Sequence, residues 1–235
     1  MVMEQNFLGE QMFNHTPVEL TEMNAVTTES GRKYRTPEGV DLPSITTVLS
    51  LLSRDGIAAW RKKVGEEEAN RISHRASTRG TKVHEIIEKY VDNDPNYRDG
   101  YTPDIIASFQ DVKPILDNNI GDVFAQEAPL YSNHLGVAGR VDCVAMYNGK
   151  PSIIDYKTSR KPKQVKWITN YFMQEAAYAI MWEERTGMPI VQLVTIISVD
   201  NSEPQVFIEH RDNWIRPLQD VIKQYKDEQE SSLFV

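Results

Sequence analysis

The chain has 235 residues, with 26 Lys and Arg against 34 Asp and Glu for a formal net charge of −8, 40% hydrophobic residues and one cysteine. That size and composition fit a soluble globular protein with one main domain. They exclude a disulfide framework, a cysteine-built zinc site and a four-cysteine iron–sulfur cluster within the chain, and the acidic balance argues against indiscriminate nucleic-acid binding.

Residues 1–30 hold five acids (Glu4, Glu10, Glu19, Glu22, Glu29) and no Lys or Arg. This predicts a loosely ordered acidic arm over residues 1–32, with neither a secretory leader nor an Arg-rich transit peptide. No run approaches the roughly 18 apolar residues of a membrane span. Residues 33–235 are predicted as a single domain. Lys33–Thr36 and Val40–Leu42 flank Pro37-Glu38-Gly39 as a small hairpin. A helix then starts near Ile45 with Ser44 or Thr46 as its cap. Those hydroxyls either cap and do no more, or join the free N–H groups in holding a phosphate.

Asp55–Lys63 reads as a short helix carrying Trp60 and three adjacent basic residues. Glu66–Arg79 is a second helix that Gly80 breaks or bends, with Lys82–Val91 continuing it. Pro103–Asn118 is a third, which Pro114 kinks or ends. Strands follow at Val123–Tyr131, Val137–Tyr147 and Ser152–Tyr156, the last two joined by a turn at Asn148-Gly149. Trp167–Arg185 is a long helix stopped near Gly187. Strands at Ile190–Val199 and Gln205–Glu209 and a helix at Asn213–Glu228 complete a mixed α/β domain with a central sheet.

Charge is segregated along this chain. Arg54–Lys82 carries eight basic and four acidic residues, and Tyr156–Lys166 carries five basic residues and no acid. The apolar strands around the Asn148-Gly149 turn contain Asp142, Asp155 and Lys157. Asp155 and Lys157, two apart, project from one face of their strand. Burying two carboxylates there costs several kcal/mol unless a cation offsets them. A Lys157–aspartate salt bridge is one reading, and a divalent-metal site beside a lysine is the other. His84 and Glu88, at i and i+4, share a helix face. Glu88 is then a second metal ligand or a carboxylate behind the imidazole, and the alternative for His84 is a solvated surface position. In the helix after the lysine, Tyr171, Gln174, Tyr178 and Trp182 form one stripe. An amide on such a stripe needs partners, and Trp60, Trp167 and Tyr171 offer stacking surfaces for unpaired bases.

Four of these segments occur in a telling order: Gly80-Thr81-Lys82-Val83-His84, Gly139-Arg140-Val141-Asp142, Asp155-Tyr156-Lys157 and Gln174-Glu175-Ala176-Ala177-Tyr178. Together they resemble the PD-(D/E)XK nuclease superfamily, and within it the RecB-type exonuclease domain. Pro43-Ser44-Ile45-Thr46-Thr47-Val48-Leu49, Arg79-Gly80-Thr81 and Ile154-Asp155-Tyr156-Lys157-Thr158-Ser159 narrow the likeness to the mitochondrial genome maintenance exonucleases and their phage relatives. The resemblance implies an α/β fold with the PD-(D/E)XK nuclease core (αβββαβ) and additional helices at its N- and C-terminal sides. It implies Mg2+ or Mn2+ held by His84, Asp142, Asp155 and the Tyr156 carbonyl. Asp142, Asp155 and Lys157 are then catalytic, with Gln174 and Tyr178 at the substrate. Ser44, Thr46, Trp60, Arg79 and Tyr171 are expected to join them along the strand path. The iron–sulfur branch is excluded for want of cysteines.

The expected activity is metal-dependent hydrolysis of DNA from free, single-stranded ends, alongside replication or recombination proteins. The expected setting is the cytoplasm of a bacterial or phage-infected cell, with no membrane partner. A structure-specific endonuclease and a non-catalytic binder of DNA ends are the alternatives.

Overall fold

Alternation of apolar residues decides which faces of the central sheet are covered, and the covering layers place every element that follows. The structure is a computed structural model that describes residues 12–28 and 31–232. Five strands, β4 (Ile120–Ser132), β5 (Val137–Tyr147), β6 (Lys150–Ser159), β7 (Gln192–Val199) and β8 (Gln205–His210), pair in that order. All pairs are antiparallel except β6–β7, which is parallel. A parallel neighbour needs a crossover, and helix α5 (Thr169–Thr186) supplies it.

Ile153 and Leu193 pack with α5, helix α6 (Asp212–Ser232) and the short helix α1 (Ile45–Leu49) on one face. Ile154 and Val194 pack with α3 (Glu66–Val91) and α4 (Pro103–Asn119) on the other. The core order is therefore αβββαβ, with extra helices before and after it. A smaller antiparallel sheet, β1 (Ala25–Thr28), β2 (Gly31–Arg35) and β3 (Asp41–Pro43), rests on β4 and β5 through Tyr34, Leu42, Tyr131 and Ala138.

The sequence reading needs correcting at three places. α3 runs unbroken through Gly80, because one helical glycine costs only about 1 kcal/mol and this one lies over β6: an added Cβ would stand 3.7 Å from the Thr158 hydroxyl. α4 holds Pro114 inside it and reaches Asn119, one residue past the expected bound, so of the two readings of Pro114 the helix stop is excluded. Trp167 belongs to a 3-10 turn (Val165–Trp167) ahead of α5, not to the helix. Finally, the segment grouped with the acidic arm is fastened where it is described. Phe13 is buried against Tyr90 and clamped by both amide atoms of Asn93, and Thr16 and Val18 hydrogen-bond the outer edge of β4. Residues 1–11, 29 and 30 lie outside the described residues. Helix α2 (Arg54–Val64), by contrast, buries no residue.

Candidate active site

The site opens where β5 and β6 part. Their register runs from Tyr147–Lys150 to Cys143–Ile154 and pairs no further, while β6 stays paired to β7 as far as Ser159–Val199. Beyond the last β5–β6 pair, the Tyr156 N–H donates to Asp142 Oδ2 at 2.8 Å. A carboxylate thus takes the place of a strand carbonyl and holds the fork open.

Asp155, 1% exposed, lies inside that fork. Its Oδ2 pairs with Lys157 Nζ, and its Oδ1 accepts from Gln174 Nε2 at 3.1 Å. The ion pair allowed by the sequence is present, but it belongs to a larger group. Burial pushes the Asp155 carboxyl up to about 6; Lys157 pulls it down, and Asp142 adds to the rise. Burial also works against the Lys157 ammonium, yet the negative charges of Asp155 and Asp142 outweigh it and hold the proton more tightly than usual. Lys157 Nζ sits 5.2 Å over the Tyr171 ring, which brings α5 to the site.

From the opposite face α3 presents His84, whose Nδ1 is 3.4 Å from Asp142 Oδ2. A third group joins from β4. Donor atoms of His84, Glu127 and Asp142 all lie within 4.8 Å of one another. The β4–β5 register of Gln126 with Cys143 and Ala128 with Val141 puts Glu127 level with Asp142. Glu127 has φ +43, a left-handed conformation that costs a side-chain-bearing residue roughly 1–2 kcal/mol. An Arg140 guanidinium bonded to the Glu127 carbonyl helps to hold it. Burial, reinforced by the charges of Asp142 and Glu88, pushes the Glu127 carboxyl up to about 7.

Two crowded carboxylates and one imidazole form a donor set suited to a hard divalent cation, which would relieve the repulsion between the carboxylates. Glu88, selected from helix spacing, is not in that group. It lies beside Asp92, and burial raises its carboxyl.

The family model for the PD-(D/E)XK nuclease superfamily matches residues 106–231, more than half the chain. The chain belongs to the PD-(D/E)XK nuclease superfamily. It is similar to mitochondrial genome maintenance exonuclease 1 of Mus musculus, 27% identical over 130 residues, covering 52% of this chain and 38% of that protein. The human protein of the same name is 28% identical over 136 residues, with the same coverage. The chain thus matches well under half the length of either relative. A crystal structure from Eubacterium rectale, provisionally assigned as an exonuclease, superposes with a TM-score of 0.38 at 14% identity, covering 64% of this chain and 68% of that one.

The matched region includes Glu127, Asp142, Asp155, Lys157, Gln174 and Tyr178, while His84 precedes it. Within it, two motif residues prove to be one packing unit. A Cβ on Gly139 would fall 2.6 Å from Tyr178 Cε1, so only a glycine there admits the ring. Tyr178 is 2% exposed. It stands one turn after Gln174 on α5, beside that amide.

The other sequence candidates scatter. Ser44 is the N-cap of α1: its Oγ accepts from the Thr47 N–H at 3.0 Å and meets the hydroxyls of Thr46 and Thr47, which occupies it fully. Thr46 itself is exposed. Arg79 is tied to Asp200 at 2.5 Å and to the Ser108 hydroxyl at 3.0 Å, linking α3 to α4 and to the end of β7. Trp60 is half-buried on α2, which packs on α3 and on the 3-10 turn Ser50–Ser53.

Sequence reasoning missed two carboxylates. Glu127 was overlooked as an ordinary position of a strand, although an acid facing the Gly139–Asp142 strand was a usable signal. Glu175 is fully buried behind Asp155. Its Oε1 accepts from the Thr195 hydroxyl, and burial, then the nearby Asp155 charge, keep it well above the usual carboxylate range.

Proposed function

We propose that this nuclease is a metal-dependent exodeoxyribonuclease that hydrolyses DNA from free single-stranded ends in the cytoplasm of a bacterial or phage-infected cell, alongside replication or recombination proteins. The observation that carries the reading is the fork itself. His84, Glu127 and Asp142 converge on one side of it, and Asp155 with Lys157 fills the other. His84, Asp142, Asp155 and the Tyr156 carbonyl would hold Mg2+ or Mn2+, with Glu127 as a further ligand. When bound, such an ion polarises the scissile phosphate and lowers the pKa of a coordinated water.

The remaining work falls to the chain. Lys157 keeps its proton, so it acts as a donor and positive charge toward the phosphate oxygens as they gain charge, not as a base. Gln174 fixes the orientation of the Asp155 carboxylate from α5, with Tyr178 beside it. Tyr171 holds Lys157 in place through its ring face.

The deciding experiment digests single strands labelled at one end and blocked at the other, in Mg2+, Mn2+ and EDTA, beside circular single strands. Ion-dependent loss of linear DNA with circular DNA intact is expected. Equal digestion of circles would make the protein an endonuclease, and binding of ends without cleavage in any ion would make it a non-catalytic end binder.

A further inference from the structure

Among the described residues, one aromatic side chain stands well out of the surface. Trp167 is 58% exposed and Val165 45%, and both belong to a single three-residue turn. Every other exposed large hydrophobic side chain among those residues is aliphatic. An indole left in water at that level, in a domain that buries Trp182 completely, calls for a ligand with a flat face.

The surroundings say which kind. The loop before the turn carries Arg160, Lys161 and Lys163, the turn itself carries Lys166, and none of these makes an ion pair among the described residues. Lys166 Nζ lies 5.6 Å over the Trp167 ring, a cation against one face. The loop is also held in shape before any ligand arrives. The Ser159 hydroxyl donates to the Lys161 carbonyl at 2.7 Å. The Gln205 side chain on β8 accepts from the Lys163 N–H at 2.6 Å and donates to the Lys163 carbonyl at 3.1 Å. The Trp167 N–H closes the turn on the Gln164 carbonyl at 2.8 Å. Preorganisation of this kind lowers the ordering cost of binding. The loop and turn join the two site-bearing elements, β6 with Asp155 and Lys157 and α5 with Tyr171 and Gln174.

We infer that the Val165–Trp167 turn is a base-stacking platform, on which Trp167 takes the face of an unpaired nucleobase while the preceding cations take the flanking phosphates. The inference rests on the DNA-cleaving reading above and adds to it a residue that discriminates single strand from duplex. A base inside a duplex has both faces covered by its neighbours and cannot meet the indole, whereas every unpaired base has a free face.

The test uses the full chain in EDTA and a labelled single strand of about 20 nucleotides, with a set of strands in which one abasic position is moved along the sequence. Fluorescence anisotropy is expected to show that Trp167→Ala weakens single-strand binding about tenfold and Trp167→Phe restores most of it, while affinity for a blunt duplex stays put. With the native residue, one abasic position should weaken binding by a similar factor, and that dip should vanish in Trp167→Ala. A flat abasic profile with the native protein overturns the platform without recourse to any variant. So does a Trp167→Ala protein that binds single strands as the native one does, or that loses duplex and single strand equally. Failure of the nuclease reading shows separately, as no Mg2+- or Mn2+-dependent digestion by the native protein.

Discussion

Two basic segments look alike along the chain and differ in the fold. In Arg54–Lys82 the cations are largely answered: Arg54 by Glu228, Arg61 by Glu66, Arg71 by Glu68, Arg79 by Asp200 and Lys82 by Glu85. In Lys157–Lys166 only Lys157 has an acidic partner, the buried Asp155, and the other four stand without one among the described residues. Lys62, Lys63 and Arg75 also lack a partner among the described residues, but they are spread over a longer stretch, so unpaired positive charge is densest in the segment that follows Lys157. A local charge count made from the sequence weights the two segments equally, and the pairing partners, many of them distant in the chain, separate them.

The sharpest way to break this contrast is at its one paired lysine. Lys157→Ala and Asp155→Ala should each lower cleavage by about 100-fold or more while strand binding in EDTA persists. Gel-resolved digestion together with anisotropy separates the two effects, and full activity in either variant removes the fork from the chemistry. Glu127→Gln should weaken divalent-ion binding by about tenfold or more, read by calorimetric titration.

The same carboxyl sets a pH signature. Folding raises it from 4.5 to about 7, so the metal-free folded state binds the extra proton between those values. Stability in EDTA should then fall as pH rises through that window, with Asp155 acting in the same direction. Thermal melts from pH 5 to pH 8 should be flatter for Glu127→Gln.

Smaller effects test the two basic segments directly. Replacing Arg160, Lys161 and Lys163 together by Ala should reduce the salt dependence of single-strand binding by about two in the log–log slope, while replacing Arg54 and Arg71 leaves it unchanged. Arg79→Ala should act on stability instead, lowering Tm by about 2–4 °C with the salt slope retained, because its partly buried guanidinium already bridges Asp200 and Ser108.

Much of the site was legible from periodicity and order. Asp155 and Lys157 share a strand face by simple alternation, Ser44 caps a helix as its position suggests, and the strand–helix–strand order of β6, α5 and β7 follows from the apolar runs. What failed depends on long-range pairing. Glu88 satisfies the helix rule for His84, but the carboxylate that joins His84 and Asp142 comes from β4, and only the β4–β5 register brings Glu127 there. Gly80 looks like a helix break from propensity, and α3, packed over β6, runs through it. Arg79 reads as a free cation until Asp200, far along the chain, is folded against it.

The Gly139–Tyr178 contact has a consequence for how such a protein can change over generations. The tyrosine ring fills the space a β-carbon would need, so neither position can drift alone: a larger residue at Gly139 displaces the ring, and loss of the ring leaves a hollow beside Gln174. Among descendants of this sequence the two positions should therefore be inherited as a couple. A lineage that has lost Tyr178 should be the one in which Gly139 has been freed to accept a side chain.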